Sequence, residues 1–285
     1  MTEQDGSQGR LSRSFHQTFI PERQYISALL KFAAKGGQGD IQVISECTGI
    51  PTGQYSGKVS PILDYCRGMG LISLSSNGGK PRTIKCPVLT PFGRVVLLED
   101  PFLKEPVTQW IAHFQLCSPL TGADVWNKTF FEGLHILGME FKRDRLEEYL
   151  AMSYNVSPGR LIGPLVRMYE DESSFSACGA LSEKNGIVRR SPAPISDEFA
   201  YGYGAWLIHL IEVHFPGLNQ ITVTELEKVS GWRSIPGWSA LDSQRALDYI
   251  EKKGLISVDR HMSPWLIRRS EDSSQAWAMI YNDLI

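Results

Sequence analysis

One ten-residue phrase occurs twice in the chain and constrains its fold more than any other feature. Residues 64–73 read DYCRGMGLIS and residues 248–257 read DYIEKKGLIS, so six of ten positions are identical at an offset of 184. Each phrase closes an amphipathic helical stretch with a glycine and opens an apolar run typical of a short strand. The sequence therefore predicts two copies of one small unit.

The residues around each phrase predict the same order of elements. For the first copy we expect helices over 25–33, 41–47 and 59–70 and strands over 71–74 and 82–88. For the second copy we expect helices over 205–213, 224–229 and 239–253 and strands over 257–259 and 266–269. Helix, helix, helix, strand, turn, strand is the order of a winged helix-turn-helix domain.

The predicted fold class is mainly α with short β-hairpin wings: tandem winged helix-turn-helix domains flanking a helical middle segment. A chain of 285 residues suits about two domains. We expect a flexible tail over 1–14, an N-terminal winged-helix domain over 15–105, a helical middle domain and linker over 106–195, and a C-terminal winged-helix domain over 196–285.

The N-terminal sequence and the cysteine spacing indicate the cellular compartment of the protein. The start, MTEQDGSQGRLSRS, has no apolar core of a secretory signal, and no apolar run approaches the ~20 residues that cross a bilayer. The five cysteines are odd in number and lack C-x-x-C spacing, which argues against a disulfide framework or a zinc knuckle. We expect a cytoplasmic protein with reduced cysteines and no membrane contact.

Motifs that carry enzyme chemistry are missing, so we expect no catalytic residue, metal or cofactor. The chain lacks a phosphate-binding G-x-x-x-x-G-K-[ST], an H-E-x-x-H and a G-x-S-x-G motif. Glu140-Phe141-Lys142 fits half of a metal-dependent nuclease motif, with Asp124 as the nearest upstream acid. A solvated charge pair is the better interpretation of these residues, because their surroundings predict helix.

The charge is unevenly placed along the chain. The total is −2, yet residues 53–94 hold six cations and one acid, which gives +5 (Lys58, Arg67, Lys80, Arg82, Lys85 and Arg94 against Asp64). Local positive density of this kind favours phosphate contact through counterion release. The sequence therefore predicts duplex DNA as a partner of the first copy.

Two groups of residues are candidates for that contact. Gln54, Tyr55, Ser56 and Lys58 precede or begin the third helix, and Lys80, Arg82 and Lys85 occupy the wing. Pro61 leaves two possibilities: a kinked helix, or a helix that starts near Ser60 with 54–58 as a loop. From the second copy, whose residues 239–269 carry only +2, Arg245 is the candidate. Because Trp232, Trp238 and Trp265 crowd that copy, protein contact there is as plausible as DNA contact.

Three stretches resemble the bacterial and archaeal domain-of-unknown-function family 4007. They are Phe15-His16-Gln17-Thr18-Phe19-Ile20-Pro21-Glu22-Arg23, the run ending in Gly70-Leu71-Ile72, and residues 100–113, DPFLKEPVTQWIAH. The resemblance implies association with DNA-modification and anti-phage defence gene clusters, including DNA phosphorothioation systems, and implies no established activity. The first stretch departs from the family in having Gln17 where a glutamate is usual.

Two functions follow from these observations. The first is a non-catalytic DNA-binding component of a DNA-modification or anti-phage defence system, contacting duplex DNA mainly through the N-terminal winged helix. The alternative is a scaffold of such a system whose winged helices dock partner proteins, since a fold alone does not decide its function. Other subunits of the complex are expected partners, and the chain could form a homodimer.

Overall fold

A computed structural model describes residues 9–53, 57–75, 83–157 and 162–284. About half of the chain is helical, and the strands form small antiparallel sheets. Within the described ranges, every helix is too short or too polar to span a bilayer.

The elements fall into three consecutive groups. The first holds α1 (Arg23–Ala34), α2 (Ile41–Thr48), α3 (Val59–Gly68), β1 (Ile72–Leu74), β2 (Pro87–Leu89) and α4 (Pro91–Glu99). The second holds α5 (Pro106–Leu116), α6 (Asp124–Asn127), a π-helical turn (Lys128–Glu132), α7 (Leu134–Leu137), β3 (Glu140–Lys142), α8 (Arg143–Tyr154), α9 (Gly163–Glu170), β4 (Leu181–Lys184) and β5 (Ile187–Arg190). The third holds a 3₁₀ turn (Asp197–Phe199), α10 (Ala200–His214), β6 (Gln220–Thr222), α11 (Val223–Ser230), α12 (Ala240–Lys252), β7 (Ile256–Asp259), β8 (Leu266–Arg269) and α13 (Ser273–Ala278).

All three groups share one order: helix, extended segment, helix, helix, hairpin. The second group has in addition α6, the π-helical turn and α7 between its first helix and its extended segment. The second and third groups have sheets ordered β3-β5-β4 and β6-β8-β7, so the first strand pairs with the last. In the first group β1 pairs with β2, and an isolated bridge joins Gly39 to Lys85. The closing hydrogen bond of each hairpin also recurs, from Thr90 N to Leu71 O, Ser191 N to Ala180 O and Ser270 N to Leu255 O, at 2.9 to 3.2 Å. The molecule therefore contains three related units, called units 1, 2 and 3 below.

The predicted helices of the two sequence copies are present, and so is the predicted hairpin of the second copy. In the first copy, the partner strand expected over 82–88 is the shorter β2, Pro87–Leu89. The Asp40 carboxylate caps α2 by accepting from Val43 N at 2.9 Å, as the sequence indicates. Gly70 and Gly254 occupy equivalent places with φ of 68° and 78°, a conformation that side chains with a Cβ rarely adopt. Helix α3 begins at Val59, so Gly57 and Lys58 precede it.

The middle segment differs from the prediction of a helical domain. It contains the three-stranded sheet β3-β5-β4. Glu140-Phe141-Lys142 is strand β3, not part of a helical region. These strands have three or four residues, and so few positions give no measurable alternation of apolar and polar side chains. The strands of units 1 and 3 are equally short, but a Gly-Leu-Ile phrase marks their hairpins, and the middle segment has none.

Helix α5 is the centre of the core. Every residue from Val107 to Leu116 is buried, so this helix has no polar face. Among its polar side chains, Gln109 is satisfied internally: it donates to Leu103 O at 2.8 Å and accepts from Cys178 N at 3.0 Å. The Asp100 carboxylate, 5% exposed, accepts from the two backbone N–H groups that lead into the helix, at 2.8 and 3.0 Å. Residues 100–113 thus form the packed centre of the molecule.

The segment 9–14, expected to be a flexible tail, is docked on unit 2. Leu11 is 2% exposed and pairs as a parallel bridge with Ala123. Arg10 forms salt bridges with Asp124 at 3.3 Å and Glu132 at 3.2 Å. One apolar side chain among polar neighbours anchors this segment, which composition alone does not reveal.

Candidate nucleic-acid interface

The sequence-predicted site divides between described and undescribed residues. Gln54, Tyr55, Ser56, Lys80 and Arg82 lie outside the described residues. Their proposed DNA contacts therefore stay predictions. The structure places the remaining candidates, Lys58, Lys85 and Arg245, in three different surroundings.

Lys58 is held by side chains at the start of α1 and in the segment just before it. Its ammonium forms a salt bridge with the Glu22 carboxylate and lies 5.0 Å from the ring centre of Tyr25 and 5.7 Å from that of Phe19. Both charged side chains are mostly buried, 24% and 17% exposed. An ammonium so engaged is a weak candidate for phosphate, because DNA would have to displace Glu22.

Helix α3 is enclosed on most of its surface. None of its ten residues is fully exposed, and Tyr65 packs edge-on against Trp126 of unit 2 at 5.9 Å between ring centres. The half-buried residues are Ser60, Asp64 and Arg67, of which the last two form a salt bridge at 3.5 Å. In a winged helix the third helix enters the major groove. Helix α3 is not presented to solvent in a way that allows this.

Lys85 belongs to the small sheet of unit 1. Its backbone exchanges two hydrogen bonds with Gly39, at 2.7 and 3.1 Å, and its side chain is half-buried. Burial raises the pKa of the Asp64 carboxyl, while the nearby charges of Arg67 and Lys85 act in the opposite direction. Lys85 thus contributes to a local charge cluster on the wing side of unit 1.

Helix α12 of unit 3, the equivalent of α3, is open to solvent along one face. Ser239 and Asp242 form a capping box at its start, with Ser239 Oγ accepting from Asp242 N at 3.1 Å. The exposed face carries Leu241, Gln244, Arg245 and Asp248. The Arg245 side chain is 55% exposed, and its one carboxylate neighbour, Asp242, is at the 4.0 Å limit of a salt bridge.

The β7–β8 hairpin places further cations beside this helix. Arg260 bridges back to α12 through Asp248 at 2.7 Å and Glu251 at 2.6 Å, and its guanidinium lies 5.2 Å from the Trp265 ring centre. Arg268 is exposed on the outer face of the sheet and donates to Gln220 Oε1 at 3.2 Å. The hairpin and α12 are thus fixed to each other by charge-assisted hydrogen bonds.

Sequence reasoning missed unit 2, although one signal marks it. Residues 187–191 read IVRRS and residues 266–270 read LIRRS, and these are equivalent in the sheets. The second arginine of each pair differs in its surroundings. Arg269 bonds Glu212 at 2.8 Å, whereas Arg190, 7% exposed, donates to Gly138 O at 2.8 Å and to Thr129 O in the π-helical turn. Burial lowers the pKa of Arg190 to about 10, so it remains a charged structural group at neutral pH.

Metal chemistry finds no support in the described ranges. They contain no group of three His, Cys, Asp or Glu side chains arranged to hold a cation. Glu140 pairs with Arg189 at 2.6 Å and Asp124 pairs with Arg10, so the acids of the partial nuclease motif are engaged by arginines.

The histidine of the family-like first motif has a structural place. His16 is 5% exposed, accepts from Thr18 N at 3.1 Å and packs near Trp126. Burial lowers its pKa to about 4. Arg23 of the same motif donates to the carbonyls of Phe102 at 3.4 Å and Glu172 at 2.5 Å. The motif therefore seals unit 1 against unit 2.

Comparisons with known proteins give a fold and no family. No protein-family model matches the chain, and no curated protein matches it. Two solved structures are similar over 98% of this chain and 89% of theirs. One is described as the SspB crystal structure (TM-score 0.70, 13% identity) and the other as a magnesium ion-bound SspB crystal structure (TM-score 0.67, 14% identity). The chain has the fold seen in SspB.

Proposed function

We propose that the protein is a non-catalytic, DNA-contacting component of a prokaryotic DNA-modification or anti-phage defence system, built from winged-helix units. Two observations support the biological setting. The sequence motifs resemble a family associated with phosphorothioation and defence gene clusters. The whole chain, not one module of it, has the fold seen in SspB.

The exposed face of α12 carries the proposal. Among the three equivalent helices, α3 and α9 are largely buried, whereas α12 leaves a polar face in solvent. Gln244 and Arg245 lie next to each other on that face. A glutamine amide pairs with adenine and a guanidinium with guanine, each through two hydrogen bonds in the major groove. Arg268 and the β7–β8 turn are placed to meet the phosphate backbone.

The N-terminal wing is a second proposed contact. Lys80 and Arg82 keep the role toward phosphate that the sequence predicts for them, and Lys85 follows them in the chain. Because Lys58 is engaged by Glu22 and α3 is enclosed, we assign the main contact to unit 3 instead of unit 1. The first unit would then add sequence-independent affinity.

The test is duplex binding at several salt concentrations. Wild type should bind random duplex at about 50 mM salt, and each lost phosphate contact should lower the slope of log K against log[salt] by roughly one unit. We expect that change for Arg268→Ala and a larger one for the triple variant Lys80, Arg82 and Lys85→Ala. Arg245→Ala should also change which sequences are preferred.

Lys35→Ala is the matched control, since Lys35 is an exposed cation beyond the end of α1. It should leave affinity and slope as in wild type. Equal losses in Lys35→Ala and Arg268→Ala would mean that only net charge matters and would reject the assigned surface. Failure of Arg245→Ala to change affinity or preference would remove α12 from the interface.

A scaffold function is the second candidate, favoured by exposed apolar side chains on the same surface. Leu241 on α12 is 65% exposed and Met262 at the β7–β8 turn is 80% exposed. Large apolar side chains at the edge of a polar surface are typical of protein contacts. Leu241→Ser and Met262→Ser would weaken binding to a partner subunit, which co-purification from the native operon measures, while DNA affinity would remain.

A further inference from the structure

A cleft lies where unit 1 meets unit 3. Its volume is about 540 Å³, within the range of small-molecule sites. One wall comes from the end of α3, the β1–β2 hairpin and the start of α4; the other comes from α10 and α13. No residue predicted from the sequence as a site lies in it.

The floor of the cleft holds a buried amide without a partner. Gln115, on the central helix α5, is 6% exposed, and its side chain makes no hydrogen bond within the part of the chain that the structure describes. Gly70 leaves room for it: a Cβ there would lie 3.0 Å from Gln115 Nε2. An amide offers one acceptor and two donors, and the oxygen and nitrogen of Gln115 are not among the side-chain atoms that are closed off from solvent. The amide is therefore available to a ligand in the cleft.

His209 supplies a second neutral polar group. It lines the cleft from α10 and makes no hydrogen bond to the described residues. Burial lowers its pKa to about 4, so the imidazole is neutral at pH 7 and offers one donor and one acceptor. Its neighbour Glu212 is already engaged, by Arg269 at 2.8 Å, by Ser273 N at 2.9 Å and by the Ser273 hydroxyl.

The rest of the lining grades from apolar to charged. Leu74, Pro91 and Val213 give apolar walls. Arg67 brings a guanidinium that is bridged to Asp64 at 3.5 Å, with its side chain 23% exposed, and a guanidinium has five N–H donors, more than one carboxylate uses. A ligand that suits this order has a flat, neutral, polar part with adjacent donors and acceptors, and an anionic part nearer the solvent. A nucleobase attached to a phosphate has both.

We propose that this cleft binds a nucleotide, with the base edge on Gln115 and His209 and the phosphate toward Arg67. Binding a free nucleotide needs no duplex contact, so the inference does not rest on the proposed function. Because the two walls belong to units 1 and 3, an occupied cleft would also hold these units together.

Isothermal titration with nucleoside monophosphates tests the proposal, with ribose 5-phosphate and inorganic phosphate as probes that lack a base. We expect at least one nucleotide to bind ten times or more tightly than ribose 5-phosphate, and to raise the melting temperature accordingly. Equal binding of ribose 5-phosphate, or no nucleotide binding at millimolar concentration, would overturn it.

Gln115→Leu removes the amide while keeping the size of the side chain. It should weaken nucleotide binding about tenfold or more without lowering the melting temperature, since the amide has no partner to lose. Gln220→Leu, on the outer face of the unit 3 sheet, is the matched control and should bind as wild type. Unchanged affinity in Gln115→Leu would overturn the assignment. His209→Phe gives an independent second variant with the same expectation.

A second arm identifies the source of the base. Duplex DNA carrying 2-aminopurine brightens when that base leaves the stack. A rise in fluorescence that free nucleotide competes away would support the cleft and identify an extruded DNA base as its ligand. Mononucleotide binding without that rise would support the cleft with a free nucleotide. If neither mononucleotide binding nor a rise in fluorescence is observed, the proposal is overturned.

Discussion

His113 at the centre of the fold should make the protein sensitive to acid. The side chain is 0% exposed, and its Nδ1 lies 2.7 Å from Tyr169 Oη, which accepts from Trp126 Nε1 at 3.1 Å. We assign the Tyr169 hydroxyl as the donor to Nδ1, which requires a neutral ring. Burial lowers the pKa of His113 to about 3, against 6.5 in an unfolded chain.

The sign follows from proton uptake. Between pH 6.5 and 3 the unfolded chain binds a proton at this position that the folded chain does not, so the free energy of unfolding falls as pH falls. The loss is roughly 1.4 kcal/mol per pH unit inside that window, or about 2.7 kcal/mol between pH 7.5 and 4.5. Above pH 6.5 the contribution is fully retained.

Urea unfolding followed by tryptophan fluorescence at four pH values from 7.5 to 4.5 measures this. His113→Gln keeps an acceptor for Tyr169 but cannot be protonated, so its unfolding free energy should fall about 2.7 kcal/mol less than that of wild type over this range. The other buried histidines contribute equally to both proteins. His261→Gln, an exposed histidine, should fall in parallel with wild type. Parallel curves for wild type and His113→Gln would refute the reasoning.

Three further predictions concern stability and are read by the same unfolding assay. Trp110→Ala should cost on the order of 3–5 kcal/mol, because Trp110 is 2% exposed in the core; full stability with altered binding would instead indicate a functional surface. A double-mutant cycle on Glu22→Gln and Lys58→Met should give a coupling free energy of about 1 kcal/mol. A coupling free energy of zero would show that this salt bridge does not stabilise the fold. Gly70→Ala should cost more than Gly254→Ala: both glycines have positive φ, but only Gly70 would bring its Cβ within 3.4 Å of another group, Gln115. Equal losses of unfolding free energy in the two variants would mean that the positive φ alone sets the loss and that the contact with Gln115 adds nothing.

The local elements of units 1 and 3 were predictable because their signals are local. The N-cap Asp40, the glycines that close the third helices and the apolar runs that follow are each readable within ten residues. Unit 2 was missed because the glycine before its hairpin, Gly179, follows a turn instead of closing a helix and is not preceded by the Asp-Tyr phrase.

Burial differences between equivalent helices were not predictable from pattern. Helices α3 and α12 have the same amphipathic spacing, yet one is enclosed by unit 2 and the other faces solvent. The burial of each helix depends on how the units pack against one another. No local pattern in the sequence reveals that packing. The cleft is similar: Gln115 and His209 are 94 positions apart in the chain and meet because α5 and α10 pack together.

The assignment of α12 as the main DNA contact is tested most directly by site-specific cross-linking. A photoreactive benzoylphenylalanine at the position of Gln244 probes the exposed face of α12, and one at the position of Glu148 probes an exposed site on α8. With end-labelled duplex at about 50 mM salt, we predict a cross-link from position 244 that free duplex competes away, and none from position 148. Absence of a cross-link at 244, or equal yields at both positions, would contradict the account.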